Sequence, residues 1–234
     1  MKNQIVLITG GTSGYGKAMA ECFHSDGAKV IIAARSPEQL QNAANELSCD
    51  SIVMDVTAYD DWLAVKKNVL EHYGRIDVLI NNAGGGIAIR ETVDLTKEQI
   101  DQTIQLNLNS VIYAANVFGP VFKAQKGGTI LNISSVCAKH CWPEWSVYAA
   151  AKAGVLNYSK GLYTELQPYG VRVSCLIPAS ASTAFQKSSG IGEVQRLLTT
   201  KDIAETALFI CKLPKHAVVE DITVWGIDQE VVPL

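Results

Sequence analysis

Seven short apolar runs recur along this chain, each separated from the next by a segment with helical spacing. They are Ile5–Ile8 (IVLI), the KVIIAA run ending at Ala34, Ser51–Met54 (SIVM), Asp77–Ile80 (DVLI), Thr129–Ile133 (TILNI), Val171–Ile177 (VRVSCLI) and Ile222–Trp225 (ITVW). Such continuous β-branched runs suit strands covered on both faces. Between them, Trp62, Val65, Val69, Leu70 and Tyr73 form a helical stripe that stops at Gly74. Thr96 with Gln99 forms a capping-box signature before a long helix carrying Ile100, Ile104 and Leu108. Ser146 to Tyr169 predicts another helix, anchored by Leu156, Leu162 and Leu166. Strand alternating with helix leaves few topologies, because crossovers between parallel strands are right-handed. The pattern predicts an α/β fold: a single-domain, Rossmann-like, doubly wound parallel sheet of about seven strands, with helices on both faces, over residues 1–234.

Composition narrows the functions open to such a sheet. Hydrophobic residues make up 48% and charged residues 18%, which favours a large buried core or subunit contacts. The net charge of -3 gives no basic field to attract nucleic acid or anionic lipid. No apolar run approaches a membrane span, and the opening MKNQIVLITGG enters a strand with no secretory signal pattern. The six cysteines form no Cys-x-x-Cys pair, so they read as reduced, small hydrophobes of a cytoplasmic protein, with no metal site.

In a doubly wound sheet, ligands collect at the carboxyl ends of the strands. The first strand runs into TGGTSGYGKAMA, with Gly10, Gly14 and Gly16. Glycines there let the backbone approach a pyrophosphate, and the following helix offers free amides and the positive end of its dipole. Strand, glycine turn and helix in that order are the context of a nucleotide site. The second strand ends at Ala34-Arg35-Ser36. It lacks the carboxylate that would bind a ribose diol, whereas Arg35 can grip a 2′-phosphate and Ser36 can add a hydroxyl. NADP(H) is therefore favoured over NAD(H). The alternative is a solvated Arg35 and a site that takes either cofactor.

The predicted helix from Ser146 carries SVYAAAKAG, with Tyr148 and Lys152 one turn apart on one face. A phenol is a poor base at neutral pH, and a nearby cation would lower its pKa.

With Ser135 thirteen residues before Tyr148, this set of elements resembles the short-chain dehydrogenase/reductase family from Thr9 to about Thr183. The resemblance implies an oxidoreductase that interconverts an alcohol and a carbonyl, acting on CH-OH groups. Tyr148 would be its acid/base, Ser135 its oxyanion partner, and Lys152 the cation that tunes Tyr148 and holds the cofactor ribose. Asn107, in QLNLNSV, would support a water linking Lys152 to solvent. The turn residues Thr12, Ser13 and Tyr15 would join the three glycines at the cofactor. Asp55 and Val56 in MDVT would meet the adenine, and Asn81, Ala83 and Gly84 in NNAG the adenine-ribose side. Pro178, Ala179 and Thr183 in IPASAST would meet the nicotinamide, with Ala179 standing where the family commonly has glycine. Homodimers or homotetramers are common in the family.

Family members that eliminate halide place arginine at the position of Lys152, and enoyl reductases space the lysine further from the tyrosine. This chain does neither. The reading is an NADPH-dependent carbonyl reductase; the alternative is an NADP(H)-binding sensor or structural protein without turnover. Substrate contacts are expected from Cys137, Trp142 and Trp145 before Tyr148, and from Phe185 in a lid over about 183–200. The tryptophans can equally be core or subunit contact, and His140 or Glu144 can meet a polar group. The short lid favours a small or medium ketone, aldehyde, hydroxy acid or sugar alcohol over a steroid or long acyl chain.

Overall fold

A computed structural model of the protein describes residues 1–180 and 198–229. Seven parallel strands form one sheet: β1 (Ile5–Thr9), β2 (Lys29–Ala34), β3 (Asp50–Val53), β4 (Val78–Asn81), β5 (Gly128–Ile133), β6 (Val171–Pro178) and β7 (Asp221–Val224). Their order is β3-β2-β1-β4-β5-β6-β7. The chain leaves β1 toward one edge and returns on its other side at β4. That reversal opens a crevice at the carboxyl ends of β1 and β4.

Among the described residues the α-helices are α1 (Gly14–Ser25), α2 (Pro37–Leu47), α3 (Tyr59–Tyr73), α4 (Lys97–Ile104), α5 (Ser110–Gln125), α6 (Ser146–Leu166) and α7 (Thr200–Lys212). Strand periodicity sorts them onto two faces. Val6 and Ile8 of β1 pack with Met19 and Phe23 of α1 and Ile203 of α7. Ile5 and Leu7 pack with Trp62 of α3 and Phe118 of α5. All five residues of β1 are buried, which explains why its sequence shows no alternation. Truncating Phe23, which is fully buried, would cost about 3–5 kcal/mol.

Local signals explain the helix boundaries. The Thr96 hydroxyl accepts from the Gln99 amide at 3.3 Å, and the Thr96 amide donates back to Gln99 Oε1 at 3.0 Å. The stripe of α3 stops at Gly74, which is left-handed at φ 71. Two expectations change. The helix that begins near Thr96 is interrupted, because Gln105–Asn109 forms a π turn between α4 and α5. The helix of Tyr148 stops at Leu166, and Gln167–Tyr169 tightens into a 3-10 turn where Pro168 has no amide to donate. No helix among the described residues is long and apolar enough to cross a membrane, and none of the six cysteines is in a disulfide.

Candidate active site

The crevice widens into a cavity of about 930 Å³ along the carboxyl ends of the strands. The glycine turn forms its central wall. Gly10 is left-handed at φ 68, and a Cβ on Gly16 would stand 2.1 Å from the Gly10 carbonyl oxygen. Glycine at 16 is therefore a packing requirement of the turn itself. Asn82 holds this turn from β4, with Nδ2 donating to the carbonyls of Thr9 at 2.9 Å and Gly10 at 3.3 Å. At the start of α1, Ser13 makes no side-chain cap, and the first turn carries no acid. The amides and positive dipole end of α1 are thus left for an anion.

Gly10, Thr12, Ser13 and Tyr15 line this part of the cavity, while Gly14 and Gly16, in the first turn of α1, do not. Arg35 and Ser36 line one end, beside Ala34. The Ser36 hydroxyl also caps α2, accepting from the Gln39 amide at 3.4 Å. Val56, Ala83 and Gly84 line the opposite wall, and Pro178 and Ala179 the end of β6. The Tyr15 hydroxyl donates to the Ala179 carbonyl at 3.1 Å, tying α1 to β6. The volume, the uncapped amides and the glycine cradle together fit a dinucleotide.

Asp55 and Asn81, also expected at the cofactor, are not on this wall either. Asp55 Oδ1 accepts from the amide and hydroxyl of Thr57, closing the turn after β3, and Met54 and Val56 face the cavity instead. Asn81 is buried, and its Nδ2 donates to Asn132 Oδ1 at 2.8 Å, tying β4 to β5. The wall also includes Gln39, Asn82 and Gly85, which the sequence reading did not single out. Gln39 had one available signal, its position one helical turn after Ser36. Thr183 and Phe185 lie outside the described residues, as does the lid through 197.

At the other end, Ser135, Tyr148 and Lys152 line the cavity together. Ser135 closes β5 and opens a 3-10 turn, accepting from the Cys137 amide at 3.2 Å. Ser135 also acts on the Tyr148 phenol, favouring its ionised form. Lys152 Nζ donates to the Ile133 carbonyl at 3.0 Å and lies 5.8 Å from the centroid of the Tyr148 ring. The Ser134 hydroxyl donates to the Lys152 carbonyl at 2.8 Å, fixing α6 against β5.

Asn107 sits behind the cavity wall, on the π turn, and is fully buried. Its Nδ2 donates to the carbonyls of Gly85 at 2.9 Å and Thr103 at 3.0 Å, and Oδ1 accepts from the Gly85 amide at 2.9 Å. The side chain therefore locks the loop after β4.

Burial lowers the Lys152 ammonium to about 8, with Cys175 and Cys137 opposing the shift. Burial also pushes the Tyr148 phenol up, and Cys137 adds to that rise. The pull in the other direction comes from Ser135. This differs from the expectation that Lys152 lowers the phenol. The ammonium bonds a carbonyl, and the phenol sits in low dielectric, so within the protein alone desolvation wins.

Cys137, Trp142 and Trp145 also line this end. His140 and Glu144 do not. The His140 ring instead packs against Trp142 and Trp225, with centroids 6.2 and 5.4 Å away. Among the described residues no three His, Cys, Asp or Glu side chains cluster to hold a metal ion.

The sequence matches the short chain dehydrogenase family over residues 4–193. An uncharacterized oxidoreductase of Staphylococcus aureus (strain USA300) is 33% identical over 227 residues, covering 96% of this chain and 97% of the relative. The closed form of a serine dehydrogenase complexed with NADP+ matches with a TM-score of 0.91 at 26% identity, over 99% of this chain and 98% of its own. An alcohol dehydrogenase from the archaeon Thermococcus sibiricus, complexed with 5-hydroxy-NADP, matches with a TM-score of 0.89 at 26% identity, over 99% of this chain and 100% of its own.

Proposed function

The chain belongs to the short chain dehydrogenase family and is an oxidoreductase; on that premise we propose that it is an NADPH-dependent carbonyl reductase interconverting a ketone and a secondary alcohol, or an aldehyde and a primary alcohol. The observation that carries this reading is the meeting of Ser135, Tyr148 and Lys152 in one cavity with the uncapped start of α1.

Arg35 and Ser36 would hold the 2′-phosphate of NADP(H), and the glycine turn its pyrophosphate. Both solved relatives named above are complexes with NADP+ or 5-hydroxy-NADP, which supports that preference. When bound, the nicotinamide supplies the hydride.

The protein's own groups handle the proton. Tyr148 stays a phenol at neutral pH because its burial opposes ionisation, so it is poised to donate to a carbonyl oxygen. Ser135 places a second hydroxyl at the same oxygen, where negative charge develops. Lys152, brought down to about 8, can exchange a proton near neutral pH and replenish the phenol. The relay to solvent at Asn107 belongs to the same reading. The Asn107 amide nitrogen is committed to Gly85 and Thr103, which leaves the second lone pair of Oδ1 to support a water.

One domain spanning residues 1–234, assembled as a homodimer or homotetramer in the cytoplasm, completes the reading. The unpaired cysteines are consistent with a reducing compartment. The test is NADPH consumption by the purified protein over a panel of ketones, aldehydes, keto acids, ketoses and quinones. Turnover of any one carbonyl supports the reading. Tight NADPH binding with no turnover favours a cofactor-binding sensor.

A further inference from the structure

The substrate end of the cavity has an uneven chemistry. Its described wall carries Val136, Cys137, Trp142, Trp145 and Tyr148, and no carboxylate. Cys137, Tyr148 and Ala149 form a separate apolar cluster, with Trp142 and Trp145 packed against it. The Trp145 ring stands edge-on to the Tyr148 ring, with centroids 5.5 Å apart and planes at 75°. A carbonyl presented to the Tyr148 and Ser135 hydroxyls therefore has its substituents beside an indole.

The nearby basic side chains Lys139 and His140 do not line this wall. Lys139 Nζ donates to Asp221 Oδ1 at 3.1 Å and to the Thr223 hydroxyl at 3.0 Å, on β7. His140 packs between Trp142 and Trp225. The charged residues on the described wall are Arg35, at the end of β2, and Lys152, which donates to Ile133. A carboxylate or phosphate buried at the Trp145 end would lose its hydration and gain no described cation in return. A planar apolar group there would lose only its hydrophobic hydration and gain an aromatic face.

We propose that the substrate is an uncharged ketone bearing an aryl or similar planar apolar substituent, and that Trp145 is a specificity-determining residue for it. This rests on the carbonyl-reductase reading and narrows it, setting aside hydroxy acids and their keto acids. Trp145 acts on binding, since its ring carries no group that can move the proton.

The experiment compares NADPH oxidation with three probes: acetophenone, phenylpyruvate and butanone. Acetophenone and phenylpyruvate share the ring and differ in the carboxylate, and butanone lacks the ring. The wild type should prefer acetophenone to each of the others by about tenfold or more in kcat/KM. Trp145→Ala should lower kcat/KM for acetophenone about tenfold, chiefly through KM, and for butanone less than threefold. Trp145→Phe should recover part of the loss, which separates a lost contact from a disturbed fold.

Preference of the wild type for phenylpyruvate would overturn the proposal. So would an equal loss on both neutral ketones in Trp145→Ala. Absence of turnover with any carbonyl, NADPH being bound, would instead overturn the carbonyl-reductase reading on which the proposal stands.

Discussion

Lys152 Nζ lies 3.1 Å from the position that a Cβ on Gly84 would take. Asn107 Oδ1 lies 2.9 Å from the same position. The loop after β4 thus passes so close to the lysine and the π turn that no side chain fits between them. Gly84 is exposed on its other side, so the constraint is set by these two neighbours and not by general crowding.

Gly84→Ala should therefore disturb the lysine more than the fold. We expect kcat to fall about tenfold or more, because small misplacements of catalytic groups are costly. NADPH affinity should change less than kcat. Steady-state kinetics beside a cofactor titration would check this. An unchanged kcat would mean that Lys152 does not need its observed position.

The depressed Lys152 pKa has a consequence for stability. The unfolded chain holds that proton up to about 10.5, whereas the folded protein releases it near 8. Between those values the unfolded state binds more protons, so this group's contribution to stability rises with pH. Below 8 the buried ammonium costs the fold on the order of 3 kcal/mol relative to a solvated one. Lys152→Met should be more stable than the wild type at pH 7, and the advantage should shrink from pH 8 to pH 10. Urea denaturation of both proteins across that range measures it. Taking the difference between them removes the opposing effect of the buried phenols and thiols.

The Arg35 assignment is separable from catalysis. Arg35→Asp should weaken NADPH binding by about tenfold to a hundredfold and leave NADH binding equal or tighter. Fluorescence titration of both cofactors decides it. An unchanged preference would make Arg35 a solvated loop residue.

Much of this architecture could be read before the structure, for identifiable reasons. A sheet covered on both faces tends to write its strands as apolar runs, and β1 and β2 do so. Tyr148 and Lys152 stand out because helical geometry alone puts i and i+4 on one face. Other features carry no such signal. Nothing in QLNLN marks a π turn, so the place of Asn107 behind the wall was not legible. Asn81 and Asn82 are adjacent and chemically identical, yet Asn81 ties β4 to β5 while Asn82 holds the glycine turn. Only the pleat of the finished strand decides which is which. The rise of the Tyr148 pKa depends on burial by distant segments, which one turn of helix cannot report.

The central claim is that the Tyr148 hydroxyl delivers the proton. The most direct measurement is NADPH oxidation by Tyr148→Phe, with a carbonyl that the wild type reduces, beside NADPH binding by the same variant. The account predicts that binding stays within a few-fold of wild type while kcat falls by about 10²–10⁴-fold. A variant that keeps wild-type turnover would contradict it, and would move the acid/base role off Tyr148.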